Sequence, residues 1–580
     1  MMKKVLTYIS LAAAVIFSAS CVDLDQNPLS AASSGNWYST PEEVEISLND
    51  LYRPYLYDTY DGWFLDRRTD DWSQRSAYVY EIAKGTITST WSNSTSNWGN
   101  AFKGVSRANR VIIGVDKLED SGSASKEVAE KLRGEASFFR AYFYSKLITL
   151  FGAVPLYTGD MTIDDSWKLG RTDVPTVLAQ IYKDFDYAAE TLPLVNTGSG
   201  LTRISKGAAY AMKARIALYQ KDYATARDAA KACMDLNQYS LYPDFGDYFR
   251  SKSIECETIF AIARSYALGF ASSPTSFVMR TAGGNGVAGP SWDLLASFLC
   301  TDGLPIDESP LFDPHFPMKN RDPRCSYTIA GPGDTLSGYV FRPDPVEKVL
   351  NVNTGKLVAN KDSKANDNSA SNVGTMNRKG VNPEWTGQAP SDGTKYNENP
   401  YIIMRYADVL LMYAEAKIEL NEIDQSVLDA INTVRARAYK VSKSDVSKYP
   451  AVTTTAKAKL RQILRTERRM EFAWEGRRYF DLQRWQIFDK AFSHDIYCLI
   501  APADITKNKD KYYDKDGNFY LWLETPSIDE DGFADFTPLF NNKEIAINGQ
   551  RFFDKKIYLW PIPNNEVEIT NHKIEQNPGY

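Results

Sequence analysis

Three glutamates, Glu467, Glu471 and Glu475, are spaced by four residues in the segment LRTERRMEFAWEGRR. On one helix, side chains four residues apart lie about 5–6 Å apart, close to the roughly 5–5.5 Å that a retaining glycosidase needs between two carboxyl groups. A general acid, however, needs a raised pKa. We expect the carboxylates to be kept ionised by the arginines of the same segment, Arg465, Arg468, Arg469, Arg477 and Arg478. The pattern favours a structural role, and a secreted glycoside hydrolase is the alternative.

Aromatic rings are concentrated near the N-terminus. Five of the twelve tryptophans lie between residues 37 and 98, namely Trp37, Trp63, Trp72, Trp91 and Trp98. A flat exposed ring can pack against the C–H face of a sugar, while acidic, amide or guanidinium groups bind the hydroxyls. Tryptophan also commonly packs in a core. The hypothesis of a ligand site therefore rests on Asp71, Trp72, Arg75, Trp91 and Trp98, and core packing is the alternative.

The first twenty residues predict a secretory signal peptide. Lys3 and Lys4 precede an apolar run that ends at Phe17, and small residues follow. That run is shorter than the roughly 20 residues that a membrane-spanning helix needs. Cys21 comes directly after it, as in the acylated cysteine of bacterial lipoproteins, so we expect a lipid anchor there. Residues 22–36 are polar and rich in turn-forming residues, which predicts a flexible tether.

Composition excludes several other classes of protein. The net charge is −6 and the pI is about 5.5, so the chain has no basic field for nucleic acid. The three histidines are isolated and no metal or cofactor motif is supported, so no cofactor is expected. The remaining five cysteines are widely spaced, which favours buried free thiols, with one disulfide as the alternative.

Helical periodicity dominates the folded part of the chain. Residues 205–220 and 222–236 read as a helical hairpin, and residues 405–420 and 426–438 repeat the same design. Further helices are predicted at 127–151 and 175–192. Between residues 237 and 400 this pattern largely fails, and long loops with interleaved Trp385, Tyr396 and Tyr401 are typical of a binding region.

Several segments are informative when taken together and in order: Cys21 with its signal, GEASFFRAYFYSKLITLFGAVPL from Gly134, SKGAAYAMKARIALYQKDYATA from Ser205, NRDPR at 320–324, RYADVLLMYAEA from Arg405, INTVRARA from Ile431, LRTERRMEFAWEGRRYFDLQRW from Leu464, LWPIPNNEV from Leu559 and the closing QNPGY. Together they resemble the SusD/RagB family of outer-membrane nutrient-binding lipoproteins. The resemblance implies a mainly α fold, with about four tetratricopeptide-like hairpins and a large irregular loop-rich lobe.

The resemblance also implies a function without catalysis. Such proteins bind glycan at the cell surface and pass it to a TonB-dependent transporter in the outer membrane; some members are suspected of handling peptides instead. The family's site draws on the middle of the chain, which adds Tyr266 and Trp292 to the candidates, and Arg378 is added from the polar loop. The expected organisation is a signal at 1–20, a lipidated tether at 21–36, helical scaffold at 37–236, an irregular ligand-binding lobe at 237–400 and further scaffold at 401–580.

Overall fold

A computed structural model of the chain describes residues 37–57, 65–76, 78–196, 203–271, 273–382 and 396–580. The predicted signal, the anchor at Cys21 and the tether lie outside these residues, as do Trp63 and Trp385, and stay predictions. The helices are α1 (Pro41–Asn49), α2 (Ser92–Asp120), α3 (Lys126–Phe151), α4 (Ile163–Ser166), α5 (Val174–Thr191), α6 (Lys206–Tyr219), α7 (Tyr223–Asp235), α8 (Phe245–Tyr248), α9 (Trp292–Ser297), α10 (Pro323–Thr328), α11 (Tyr406–Leu420), α12 (Gln425–Ala438), α13 (Lys457–Phe472), α14 (Arg478–Trp485), α15 (Phe488–Ala491), α16 (Pro502–Lys507), α17 (Lys509–Tyr512), α18 (Thr537–Asn541) and α19 (Asn564–Ile569).

The strands are short and antiparallel. They are β1 (Trp72–Gln74), β2 (Thr258–Ile262), β3 (Ala288–Pro290), β4 (Ile329–Ala330), β5 (Thr335–Leu336), β6 (Tyr339–Val340), β7 (Lys348–Asn351), β8 (Lys356–Ala359), β9 (Met376–Asn377), β10 (Tyr401–Arg405), β11 (Ile496–Cys498), β12 (Ser527–Ile528), β13 (Ala534–Asp535) and β14 (Ala546–Gly549). Strands β5 to β8 form a four-stranded sheet. The others form two-stranded pairs, among them β1–β3 and β2–β10.

The predicted helical hairpins are present with nearly the expected bounds. Helices α6 and α7 form the first and α11 and α12 the second, and α7 packs against α11 so that the hairpins stack. Each second helix begins with an aspartate cap: Asp222 accepts a hydrogen bond from the N–H of Thr225 at 3.2 Å, and Asp424 accepts one from Ser426 at 3.0 Å. These acceptors serve N–H groups that have no partner within the helix. The mainly α scaffold predicted from the sequence is confirmed.

Two hydrophobic cores organise the chain. One belongs to the helical scaffold, which comprises α1 to α3, α5 to α7 and α11 to α15. The other belongs to the irregular lobe, which we define as residues 273–382 and 496–549, and Trp72 and Trp474 extend into it. Strand β1 carries Trp72 into the lobe by pairing with β3, where Trp72 faces Pro290. The lobe is therefore built from two stretches that are distant in sequence.

Membrane, metal and thiol features can be checked over the described ranges. Within them, each helix is too short or too polar to span a bilayer. The same part of the chain holds no His, Cys, Asp and Glu cluster suited to a metal. The described cysteines are all free: Cys233, Cys300, Cys325 and Cys498 are buried as predicted, but Cys256 is exposed.

Candidate ligand-binding site

Trp72 and Asp71, the centre of the site predicted from the sequence, are buried. The Trp72 ring is 3% exposed and stacks on Trp474 with ring centres 4.9 Å apart. Asp71 is 1% exposed and accepts hydrogen bonds from the guanidinium of Arg469 at 2.7 and 3.0 Å. A buried carboxylate needs such a partner because burial alone disfavours its charge. The expectation that this pair contacts ligand was wrong, since both side chains are buried inside the protein.

Trp91, Trp98 and Trp292 are likewise core residues. Trp91 meets Trp560 edge to face at 4.7 Å, and Trp98 meets Phe151 in the same way at 5.1 Å. Trp292 is 1% exposed and donates its indole N–H to the carbonyl of Val373 at 2.7 Å. Large rings stabilise a core strongly when any N–H finds an acceptor. The predicted ligand contacts of these three tryptophans were therefore also wrong.

Arg75 and Arg378 hold loops together. Arg75 donates to the carbonyls of Asn285 at 2.5 Å and Ser369 at 3.2 Å. Arg378 donates to two carbonyls of its own lobe, those of Ser326 and Thr335, at 2.9 and 3.2 Å. Both side chains are half-buried, so a contact between either one and a ligand stays a prediction.

The three glutamates do not share one helix. Helix α13 carries Glu467 and Glu471 but ends at Phe472, and Glu475 lies in the turn that follows. Within that turn, Trp474 and Gly476 have φ angles of 62° and 72°. The left-handed conformation is unfavourable for a bulky residue, and at Trp474 it is stabilised by the stack on Trp72.

The glutamates are paired, but with arginines of other segments. Glu471 accepts from Arg324 at 3.0 Å, from Arg405 at 2.7 Å and from Arg437 at 2.5 Å. Burial opposes ionisation of Glu471, yet Arg437, Arg405 and Arg324 together hold its pKa well below the usual range. A carboxyl group with a lowered pKa cannot act as a general acid near neutral pH.

Arginines on α13 and at the start of α14 pair elsewhere, contrary to the sequence-based expectation. Arg469 binds Asp70 and Asp71, and Arg478 binds Asp70. The buried charges on α13 therefore pair with other segments and connect the helix to them.

Tyr266 is the one sequence-predicted aromatic of the site that the structure places at the surface. It is 36% exposed, and its ring centre lies 4.7 Å from that of Tyr396, with 34° between the ring planes. The Tyr266 N–H donates to Glu398 at 2.8 Å, which joins the two loops. Glu398 also lies 3.4 Å from Lys252. The pair presents aromatic surface at the edge of the β2–β10 ribbon.

A polar cleft lies beside these tyrosines. Asn399 donates to the carbonyl of Phe249 at 2.9 Å, but its buried side-chain oxygen has no hydrogen-bond partner within the described residues. Arg264 lies 5.9 Å from the ring centre of Tyr401, and burial lowers the pKa of Arg264 to about 10. Asn399 and Arg264 both line the cleft. A buried acceptor without a partner is costly, and a ligand hydroxyl is a suitable donor for it.

Tyr396, Asn399 and Arg264 were not among the residues predicted for the site. The alternation of rings with polar residues before Tyr401 marked the loop, but the sequence gives no signal that pairs Tyr396 with Tyr266, 130 residues away. The two tyrosines are brought close in space by the pairing of β2 with β10, in which Tyr401 lies opposite Ile262.

Known proteins resemble the chain along most of its length. The model of the SusD family matches residues 256–580, and a model described as "starch-binding associating with outer membrane" matches residues 24–218. SusD-like protein P2 of Formosa agariphila is 23% identical over 500 residues, which cover 81% of this chain and 89% of that protein. SusD-like protein P25 of the same organism is 24% identical over 397 residues, 68% of this chain and 70% of its own.

Solved structures agree with the fold. A SusD-like carbohydrate-binding protein from Bacteroides fragilis has 26% identity and a TM-score of 0.72, covering 92% of this chain and 98% of its own. A laminarin-binding SusD-like protein has 18% identity and a TM-score of 0.59, and the match covers 94% of this chain and 100% of that protein. The match of the family model to more than half of the chain shows that the protein belongs to the SusD family.

Proposed function

We propose that this protein binds an oligosaccharide or polysaccharide at the cell surface and delivers it to a TonB-dependent transporter of the outer membrane. Similarity to a carbohydrate-binding and to a laminarin-binding SusD-like protein supports a glycan ligand. The description of the N-terminal family model supports an association with the outer membrane. The family is non-catalytic, and this protein is not an enzyme.

The pair formed by the exposed Tyr266 and the half-buried Tyr396, beside the Asn399 cleft, is the observation that carries the proposal. Each ring offers a flat apolar face for the C–H groups of a sugar, and the Asn399 oxygen, which has no partner among the described residues, can accept from a hydroxyl. Using aromatic pairs as a guide, each ring contributes on the order of 0.5–1.5 kcal/mol beyond the burial of area. Two rings therefore give modest affinity, which suits a protein that must release its ligand to a transporter.

The anchor and the transporter complete the proposal. A lipid on Cys21 would keep the folded body at the membrane without any membrane-inserted protein segment. The transporter partner follows from the family resemblance, and the predicted tether at residues 22–36 would let the body move relative to it.

Calorimetry and affinity electrophoresis with a panel of polysaccharides test the ligand class. For a polysaccharide that binds, Tyr266→Ala and Tyr396→Ala should each weaken binding by about threefold to tenfold, corresponding to the contribution of one ring. Trp167→Ala is the matched control, because Trp167 is 51% exposed and lies in a loop outside the site.

Two outcomes would contradict the proposal. If no polysaccharide binds but peptides do, the protein belongs with the peptide-binding alternative. If a polysaccharide binds equally well to wild type and to both tyrosine variants, the ligand lies elsewhere on the surface.

A further inference from the structure

A second cavity adjoins the candidate site at Tyr401, which lines both. It has a volume of about 80 Å³ and lies between α3, α6, β10 and the turn after α13. A single water molecule needs a cavity volume of roughly 10–15 Å³, so this cavity has room for a small ionic group. Two half-buried rings among its lining residues, Tyr219 and Phe480, are stacked with centres 5.3 Å apart.

The cavity is lined by two buried arginines that share one carboxylate. Arg215 donates to Asp408 at 2.5 Å, and Arg477 lies 3.8 Å from the same carboxylate. Asp408 also pairs with Arg468 at 3.2 Å. One negative charge is therefore divided among three guanidinium groups.

The other carboxylates near these arginines do not neutralise the excess positive charge. Arg468 also binds Asp481, and Arg484 binds both Asp481 and Glu415. Four arginines thus share three carboxylates in this part of the described chain. The surplus positive charge lies at the cavity, because Asp481 and Glu415 face Arg468 and Arg484.

The neighbouring buried network is balanced, which makes the surplus specific to the cavity. Five cations there face five carboxylates: Lys379, Arg324, Arg405, Arg435 and Arg437 pair with Glu257, Asp322, Glu467, Glu471 and Glu475.

Arg215 also has unused hydrogen-bonding capacity. Its Nε atom is buried and has no partner within the described residues, and the nearest acceptor of Nη1 is the sulfur of Met212 at 3.8 Å. Burial and the charge of Arg477 both lower the pKa of Arg215. An uncompensated buried cation is strongly unfavourable, so an anion that reached it would be bound tightly for its size.

We propose that this cavity is a subsite for the carboxylate or sulfate group of an acidic sugar, bound by Arg215 and Arg477 while the sugar ring packs on Tyr219 and Phe480. The inference rests on the proposed glycan-binding function and narrows it to glycans that carry acidic groups. The overall charge of −6 gives no general attraction for anions, so recognition would depend on this local surplus.

Calorimetry with glucuronate, glucose 6-sulfate and glucose at constant ionic strength tests the subsite in the whole protein. We expect binding of glucuronate, of glucose 6-sulfate or of both, and at least tenfold weaker binding of glucose. The two acidic arms identify whether carboxylate or sulfate is the recognised group. Arg215→Gln should weaken binding of the sugar acid at least tenfold.

Two further variants separate binding from folding. Arg215→Gln leaves three arginines and three carboxylates, so the ligand-free variant should melt within a few degrees of wild type. Tyr219→Ala leaves the charges intact and should weaken the binding of glucuronate or glucose 6-sulfate by about threefold to tenfold. The binding of inorganic sulfate should change little.

Binding of glucose as tight as that of the sugar acids would overturn the inference, as would undiminished sugar-acid binding by Arg215→Gln. If neutral polysaccharides bind through Tyr396 and sugar acids do not bind, the subsite fails and the proposed function stands. If sugar acids bind through Arg215 but no polysaccharide binds, the proposed function fails and the anion subsite stands.

Discussion

The segment around Trp72 and the loops around Tyr266 both combine aromatic rings with charged or amide side chains, but they differ in exposure. Around Trp72, the ring is buried in a stack on Trp474 and the adjacent Asp71 is bonded to Arg469. Around Tyr266, that ring is exposed, the Tyr396 ring is half-buried and the nearby Asn399 oxygen is unpartnered within the described residues. A ring buried against another ring stabilises the fold, whereas an exposed ring is available to a ligand.

This contrast separates two kinds of variant. Changes in the balanced buried network around Glu471 and changes at Trp72 should alter stability, and changes at the tyrosine loops should alter affinity. A change in that network or at Trp72 that lowered polysaccharide affinity without lowering stability would contradict this distinction.

The largest effect is expected from Glu471→Gln. This change leaves Arg324, Arg405 and Arg437 without the carboxylate they share, and the free energy of unfolding should fall by about 3–5 kcal/mol. Because the pKa of Glu471 is lowered on folding, its contribution is complete above the unfolded-state pKa and is lost as pH falls. Urea unfolding at neutral pH gives the measurement.

The matched control is Glu419→Gln, which removes a carboxylate bonded twice to Arg461, at 2.7 Å, near the surface. Solvent screening limits such a pair to roughly 1 kcal/mol or less. Equal losses for the two variants would contradict the structural role assigned to the buried network.

A smaller loss is expected from Trp72→Phe. The phenyl ring keeps part of the stack on Trp474 but leaves unfilled volume in the core, so we expect the free energy of unfolding to fall by roughly 1–3 kcal/mol. Polysaccharide affinity, measured by calorimetry below the melting temperature, should not change. A tenfold loss of affinity in a variant that remains folded would return Trp72 to the ligand site.

The smallest effect is expected from Lys252→Ala. Lys252 pairs with Glu398 at 3.4 Å in a solvent-exposed position, so stability should change by less than about 0.5 kcal/mol. Glu398 keeps its hydrogen bond from the Tyr266 N–H, and affinity should change by no more than about twofold. A larger loss would mean that Lys252 contacts the ligand directly.

Much of the scaffold could be predicted because its signals are local. The predicted hairpins at 205–236 and 405–438 are confirmed as α6–α7 and α11–α12, since apolar periodicity and aspartate caps act within a few residues. The end of α13 was missed: Glu475 continues the four-residue spacing, but the helix stops at Phe472 where Trp474 adopts a positive φ.

Among the candidate ligand residues, Tyr266 alone is a ring that the structure leaves exposed. Trp72, Trp91, Trp98 and Trp292 have the composition of a sugar site, but an aromatic side chain has the same identity whether it lies in a core or at a surface. The structure suggests Tyr396 and Asn399 as site residues in place of these tryptophans. Their position near Tyr266 depends on the pairing of β2 with β10.

Local patterns in the sequence are enough to predict the scaffold hairpins, the family and the density of arginine and glutamate near Glu471. The pairing of charges, the burial of rings and the position of the one excess positive charge follow only from the folded chain. The difference lies in the range of the interactions. Helix propensity and capping act within a turn, whereas burial and ion pairing depend on neighbours such as Asp71 and Arg469, which lie about 400 positions apart in the chain.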